Sequence, residues 1–117
     1  MKPHVYFNGR IVPESRARVS VFDRGLLHGF GLFETLRAYE GRPFRLAEHL
    51  RRMAASARWL NISKPLPAPH LKKIVIELLK RNRLKDAAVR ITLTAGVEET
   101  CLPNLIITTR PLPGPGA

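Results

Sequence analysis

The chain is short of acid, of cysteine and of long apolar runs. Lysine and arginine number 20 against 9 aspartates and glutamates, a formal net charge of +11. The single cysteine, Cys101, has no internal partner, so no disulfide staples the fold. Such cysteine usage suits a reducing compartment, and the expected location is the cytoplasm. No stretch approaches the roughly 18 apolar residues that a membrane-spanning helix needs. The opening MKPHVYFNG lacks the apolar core of a secretory signal. His28 and His49 are not spaced as metal ligands with any Cys, Asp or Glu cluster, so no metal is assigned. Ser20, Ser56 and Cys101 lack an identifiable base or a nucleophile elbow.

What remains is enough for one domain. With 117 residues and 44% hydrophobic content, the chain can build one modest core. Asn8-Gly9 between His4–Phe7 and Arg10–Val12 signals a hairpin. Ser20 to Asp23 can open a short helical turn around Arg24–Leu27. From Leu32 to Tyr39 the pattern alternates: Leu32, Leu36 and Ala38 point one way, and Phe33, Thr35, Arg37 and Tyr39 the other. Glu34 is the exception, a carboxylate in the apolar register. Glu40-Gly41 turns the chain, and Arg42–Arg45 returns as a second strand. Leu46–Leu60 is a helix with Leu46, Leu50, Met53, Ala57 and Leu60 on one stripe. Pro65, Pro67 and Pro69 make a stiff connector. A second helix spans Ala68–Asn82, and strands follow at Ala87–Thr94 and Asn104–Thr109. Residues 1–110 form the domain and 111–117 a Pro/Gly-rich linker. Runs of strands and helices, rather than strict alternation, predict an α+β two-layer sandwich, its sheet mainly antiparallel with two helices on one face.

Positive charge invites a nucleic-acid or acidic-protein surface. Here the cations are spread along the chain, with no RNP-like aromatics, CxxC pair or KH-type loop beside them, which favours solvated faces. Arg52 lies off the apolar stripe, where a guanidinium can meet a phosphate bidentately. By spacing alone, it is a surface arginine paired with Glu48. The alternation puts Phe33, Thr35 and Arg37 on one sheet face, and Arg90, Thr92 and Thr94 on the polar face of a second strand. If those faces coincide, a basic, hydroxyl-lined surface results, suited to a carboxylate or phosphate. Otherwise they are ordinary solvent-facing residues. The run GLLHGFGLF precedes a strand instead of following one, so it is no dinucleotide fingerprint.

Taken together, Asp23-Arg24-Gly25, Gly29-Phe30-Gly31-Leu32-Phe33-Glu34, Tyr39-Glu40-Gly41, Phe44-Arg45-Leu46 with His49 and Arg52, and Arg90 to Gly96 follow one another in a recognisable order. The sequence resembles the N-terminal domain of the fold-type IV pyridoxal-phosphate enzymes, which include branched-chain and D-amino acid aminotransferases and aminodeoxychorismate lyase. The resemblance implies that Arg52 binds the cofactor phosphate, that Phe33 lines the substrate pocket, and that Arg37 and Arg90 face the substrate. It implies pyridoxal 5'-phosphate as cofactor, an amino acid and a 2-oxo acid as substrates, and a homodimer. Phe30 stands where the pattern has aspartate, and Ala95 where the D-amino acid enzymes have arginine. These departures count against D-amino acid transamination and leave branched-chain transamination and the lyase open.

The family's second domain carries the lysine that holds the cofactor. Lys2, Lys64, Lys72, Lys73, Lys80 and Lys85 all fall at the terminus, in the second helix or in connectors. None matches that position. The expectation is an isolated small domain, inactive alone, whose C-terminal partner domain is absent.

Overall fold

The computed structural model describes residues 3–63 and 67–112. The chain forms β1 (His4–Phe7), β2 (Arg10–Pro13), a 3-10 turn (Glu14–Arg16), α1 (Arg24–His28), β3 (Gly31–Tyr39), β4 (Arg42–Pro43), α2 (Leu46–Trp59), α3 (Ala68–Arg81), β5 (Ala87–Thr94) and β6 (Asn104–Pro111). One six-stranded sheet runs β2-β1-β6-β5-β3-β4, with every neighbouring pair antiparallel. Helix α2 packs on β3, and α3 packs on β1, β4 and β6. This is the two-layer α+β sandwich that the sequence predicts.

The two tight turns share one backbone solution. Asn8 and Gly9 have φ of 47° and 105°, and Glu40 and Gly41 have 53° and 77°. Positive φ at both central residues matches the twist of paired strands. Glu40 is a poor residue for that region. Its N–H donates to Asp86 Oδ1 at 2.9 Å, which ties the turn to the start of β5. The core lies between the layers. Leu36, Val89, Ile91, Leu93 and Ile107 of the sheet meet Leu50 and Met53 of α2 and Leu71, Val75, Leu78 and Leu79 of α3.

Several details differ from expectation. β4 stops at Pro43, because Arg45 has a φ of 59° and turns the chain into α2. Pro69 belongs to the first turn of α3, where a missing N–H costs nothing. Pro65 lies outside the described residues. β6 continues to Pro111, which pairs with Ala87, so the sheet reaches past the expected linker boundary. Residues 113–117 lie outside the described residues.

Asp23 ties the glycine-rich turn to the sheet. It is 1% exposed and caps α1 by accepting the Gly25 N–H at 2.7 Å. It also accepts Thr94 Oγ1 at 2.7 Å and Asn104 Nδ2 at 2.5 Å. Arg24 donates to the carbonyls of Ala95 at 2.7 Å and Gly96 at 3.0 Å. Close approach explains two of the turn's glycines, Gly25 and Gly31. A Cβ on Gly25 would lie 2.8 Å from Thr94 Cβ, and one on Gly31 would lie 2.8 Å from the Leu93 carbonyl oxygen.

Burial opposes the charge on Asp23, but hydrogen bonds from Thr94, Gly25, Asn104 and Gly96 outweigh it and hold the carboxyl below its ordinary value. A depressed folded-state pKa adds stability above the unfolded value and loses it as the pH falls through the folded value. Thermal stability therefore declines below about pH 4. Asp23→Ala strands these donors and is expected to lower the unfolding free energy by about 1–3 kcal/mol in denaturant titration at pH 7. It should also flatten part of the acid limb.

Candidate functional site

Arg52 projects from α2 toward β3 and meets Glu34. Its Nε donates to Glu34 Oε2 at 3.0 Å and its Nη2 to Oε1 at 2.7 Å, a two-point grip. His49, one helical turn earlier, places Nδ1 2.6 Å from the same Oε1. An ionised carboxylate only accepts, so this contact needs the imidazole proton on Nδ1. The Glu34 carboxyl is held below its ordinary value, first by the Arg52 hydrogen bond and, against the cost of burial, by His49. The spacing-based pairing of Arg52 with Glu48 does not form. Glu48 lies 3.5 Å from Arg45 instead. The cause is geometric: α2 lies on β3, which brings a carboxylate from the sheet to Arg52.

The result is a pre-aimed cation. Glu34 and His49 are 14% and 20% exposed, whereas the Arg52 side chain is 66% exposed. Glu34 engages one edge of the guanidinium, and Nη1 takes no part in that grip. That fits an arginine that contributes to an oxyanion site and is oriented before the anion arrives. Sequence reasoning does not single out Glu34 or His49 as site residues. The available signal is Glu34 itself, a carboxylate breaking the apolar register of β3.

The opposite sheet face carries the other candidates. Phe33 pairs with Thr92, Thr35 with Arg90, and Arg37 with Ala88, so the two polar faces coincide. The Arg90 guanidinium stacks on the Phe33 ring at 4.0 Å. Beside it, Thr35, Ala88, Arg90, Thr108 and Arg110 line a small hollow of about 90 Å³. Arg110 joins through β6 and carries no signal in a segment expected to lie at the domain's end. Thr94 is committed to Asp23 instead.

The structure does not gather Arg52, Phe33, Arg37 and Arg90 on one sheet face. Phe33 and Arg90 touch, and Arg37 shares their face. Arg52 approaches from the helix layer, through Glu34. The pleat requires this, since residues 33 and 34 must point to opposite faces. The groups can share a ligand only around the outer edge of β3, because β4 pairs with Ala38 and Tyr39 alone. Phe30, one of the two departures, packs against the core with Arg24 5.2 Å above its ring. Ala95, the other, is 3% exposed. The described lysines, Lys72, Lys73 and Lys80 on α3 and Lys85 just after it, are all exposed.

The sequence and the fold have counterparts among known proteins. The family model for amino-transferase class IV covers residues 31–116, so the chain belongs to the class IV aminotransferase family. It is 47% identical over 93 residues to a putative branched-chain-amino-acid aminotransferase of Methanocaldococcus jannaschii, covering 80% of this chain and 32% of that protein. It is 39% identical over 97 residues to the aminodeoxychorismate lyase of Bacillus subtilis, covering 81% and 33%. It is also 36% identical over 93 residues to the D-alanine aminotransferase of Staphylococcus haemolyticus, covering 80% and 33%. A branched-chain aminotransferase from the thermophilic archaeon Thermoproteus uzoniensis, solved with norvaline, superposes with a TM-score of 0.85 at 28% identity, over 97% of this chain and 42% of that one. The chain thus spans about a third of the length of the curated relatives it matches.

Glu34→Gln separates positioning from folding. Because Arg52 is largely exposed, losing the ion pair is expected to lower the thermal midpoint only slightly. The Arg52 Nε–H signal in nitrogen-15 NMR should move to the free-arginine position. A large drop in that midpoint would show a folding contact instead.

Proposed function

We propose that this chain is the small domain of a pyridoxal-phosphate-dependent enzyme that transfers the amino group of an amino acid to a 2-oxo acid. Arg52 contributes to the cofactor's phosphate site, and Phe33, Arg37 and Arg90 shape the substrate side. The observation that carries this reading is the two-point grip of Glu34 on Arg52, within the His49-x-x-Arg52 pattern of the family. When bound, the cofactor supplies an electron sink for negative charge developing beside the substrate's amino group.

The chain's own residues bind and orient. Nη1 of Arg52 is free to donate to a phosphate oxygen. Arg52 first and then His49 keep Glu34 ionised, and Glu34 keeps the guanidinium in place, so little side-chain freedom is lost on binding. Across the β3 edge, Arg90 lies over the Phe33 ring, and a substrate carboxylate can meet its guanidinium. The Phe33 ring, 59% exposed, offers apolar surface to a substrate side chain, which suits a branched-chain donor. The lysine that holds the cofactor comes from a region beyond this chain, and the chain alone is expected to be inactive. Val21, Phe22, Leu26 and Leu27 are more than half exposed. They offer the apolar surface that the rest of the enzyme, or a second subunit of a homodimer, would bury.

A second reading, elimination of pyruvate as in aminodeoxychorismate lyase, uses the same binding residues and differs in the bond broken. The B. subtilis relative favours keeping it.

In the full-length protein, Arg52→Ala is expected to weaken pyridoxal 5'-phosphate binding by about 10- to 100-fold, read as visible absorbance against added cofactor. Unchanged affinity would remove Arg52 from the site. Assays with leucine, D-alanine and aminodeoxychorismate then separate the transaminase from the lyase. Turnover of leucine with 2-oxoglutarate is the expected result, and pyruvate release from aminodeoxychorismate alone would favour the lyase.

A further inference from the structure

A second hollow lies away from this site. It is an open groove of about 530 Å³ at the far end of β3, between the Glu40-Gly41 turn and the end of α3. That volume is within the usual range for small-molecule sites. Its floor is apolar: Leu79 is fully buried, and Ile76 and Leu84 are partly exposed. Its rim is cationic. Arg42 from β4, Lys80 from α3, and Arg83 and Lys85 from the connector to β5 all line it, against the single carboxylate of Glu40. None of the four cations has an acidic partner within salt-bridge distance among the described residues.

Two features argue that the groove is built and not incidental. The rim is braced by backbone bonds: Gly41 N–H to the Lys85 carbonyl at 2.9 Å, Leu84 N–H to that of Leu79 at 2.9 Å, and Arg83 N–H to that of Lys80 at 3.1 Å. Arg83 is held at a φ of 55°, which turns the chain sharply at the helix end. Cations at a helix C-terminus are expected from the dipole, and Lys80 needs no other explanation. Arg42 and Lys85 lie on other elements, so the dipole does not account for them. The four cations are exposed, so water moderates their mutual repulsion, and a bound anion would relieve what remains.

We propose that this groove binds a small amphipathic organic anion: an apolar body lying on Ile76, Leu79 and Leu84, with a terminal carboxylate held by the cationic rim. Charge complementarity selects the head group, and the apolar floor selects against a bare phosphate. The site stands apart from Arg52 and from the open face, and it does not depend on the reaction proposed above.

The test is calorimetric titration of the full-length protein with decanoate and with decan-1-ol. Saturable decanoate binding is expected, with decan-1-ol at least about tenfold weaker, since a charge-assisted contact is lost. The double variant Lys80→Glu/Arg83→Glu should weaken decanoate by about tenfold or more. Lys72→Glu/Lys73→Glu makes the same charge change on the same helix outside the groove and should leave affinity within about twofold, because distant exposed charges are screened. Arg42→Ala serves as a milder probe of the rim should the double variant fold poorly, and it too should weaken binding. Absent saturable binding, equal affinity for decan-1-ol, or equal loss in the two double variants would each overturn the proposal. Retained affinity in Arg42→Ala together with the Lys80/Arg83 variant would overturn it as well.

Discussion

One strand serves two faces, and the rest of the site follows from that. β3 alternates with a period of two, so each residue that faces solvent is flanked by residues that face the helices. Leu36 and Ala38 enter the core, Glu34 reaches α2, and Phe33 and Arg37 stand on the open face. A slip of one residue would exchange all of them at once. The register with β5 is therefore what keeps the core intact and the candidate residues apart.

The scarcity of acid gives each buried carboxylate a distinct job. Asp23 gathers neutral donors and locks the glycine-rich turn against the ends of β5 and β6. Glu34 holds the Arg52 guanidinium and the His49 ring and fixes the aim of Arg52. Both carboxyls are held below their ordinary values, the first against strong desolvation and the second chiefly by the guanidinium. The difference separates a structural anchor from a positioning group: the donors of Asp23 are used up, whereas the partner of Glu34 still presents N–H groups outward.

Much of this was legible in residue patterns. The Asn8-Gly9 turn, the α2 stripe and the bounds of β5 follow from local rules, since each depends on neighbours in sequence. Alternation alone points to Phe33 and Arg90, and the structure adds that they stack. The true partner of Arg52 was hidden. Helical spacing brings Glu48 within reach, but only the packing of α2 on β3 brings Glu34 closer to the guanidinium. The end of β6 was hidden too, because a Pro-rich tail resembles a linker until Pro111 is seen paired at the sheet's end.

The amino-acid sequence by itself determined the element types, the two faces of each strand and the family resemblance, because these rest on local sterics and on the periodicity of apolar residues. Only the tertiary structure decided which charges meet. It set Arg52 on Glu34, Arg90 on Phe33 and four cations around one groove. The physical reason is that ion pairs and stacked rings form between groups far apart in the chain, whose separation depends on how layers pack and not on how residues are spaced.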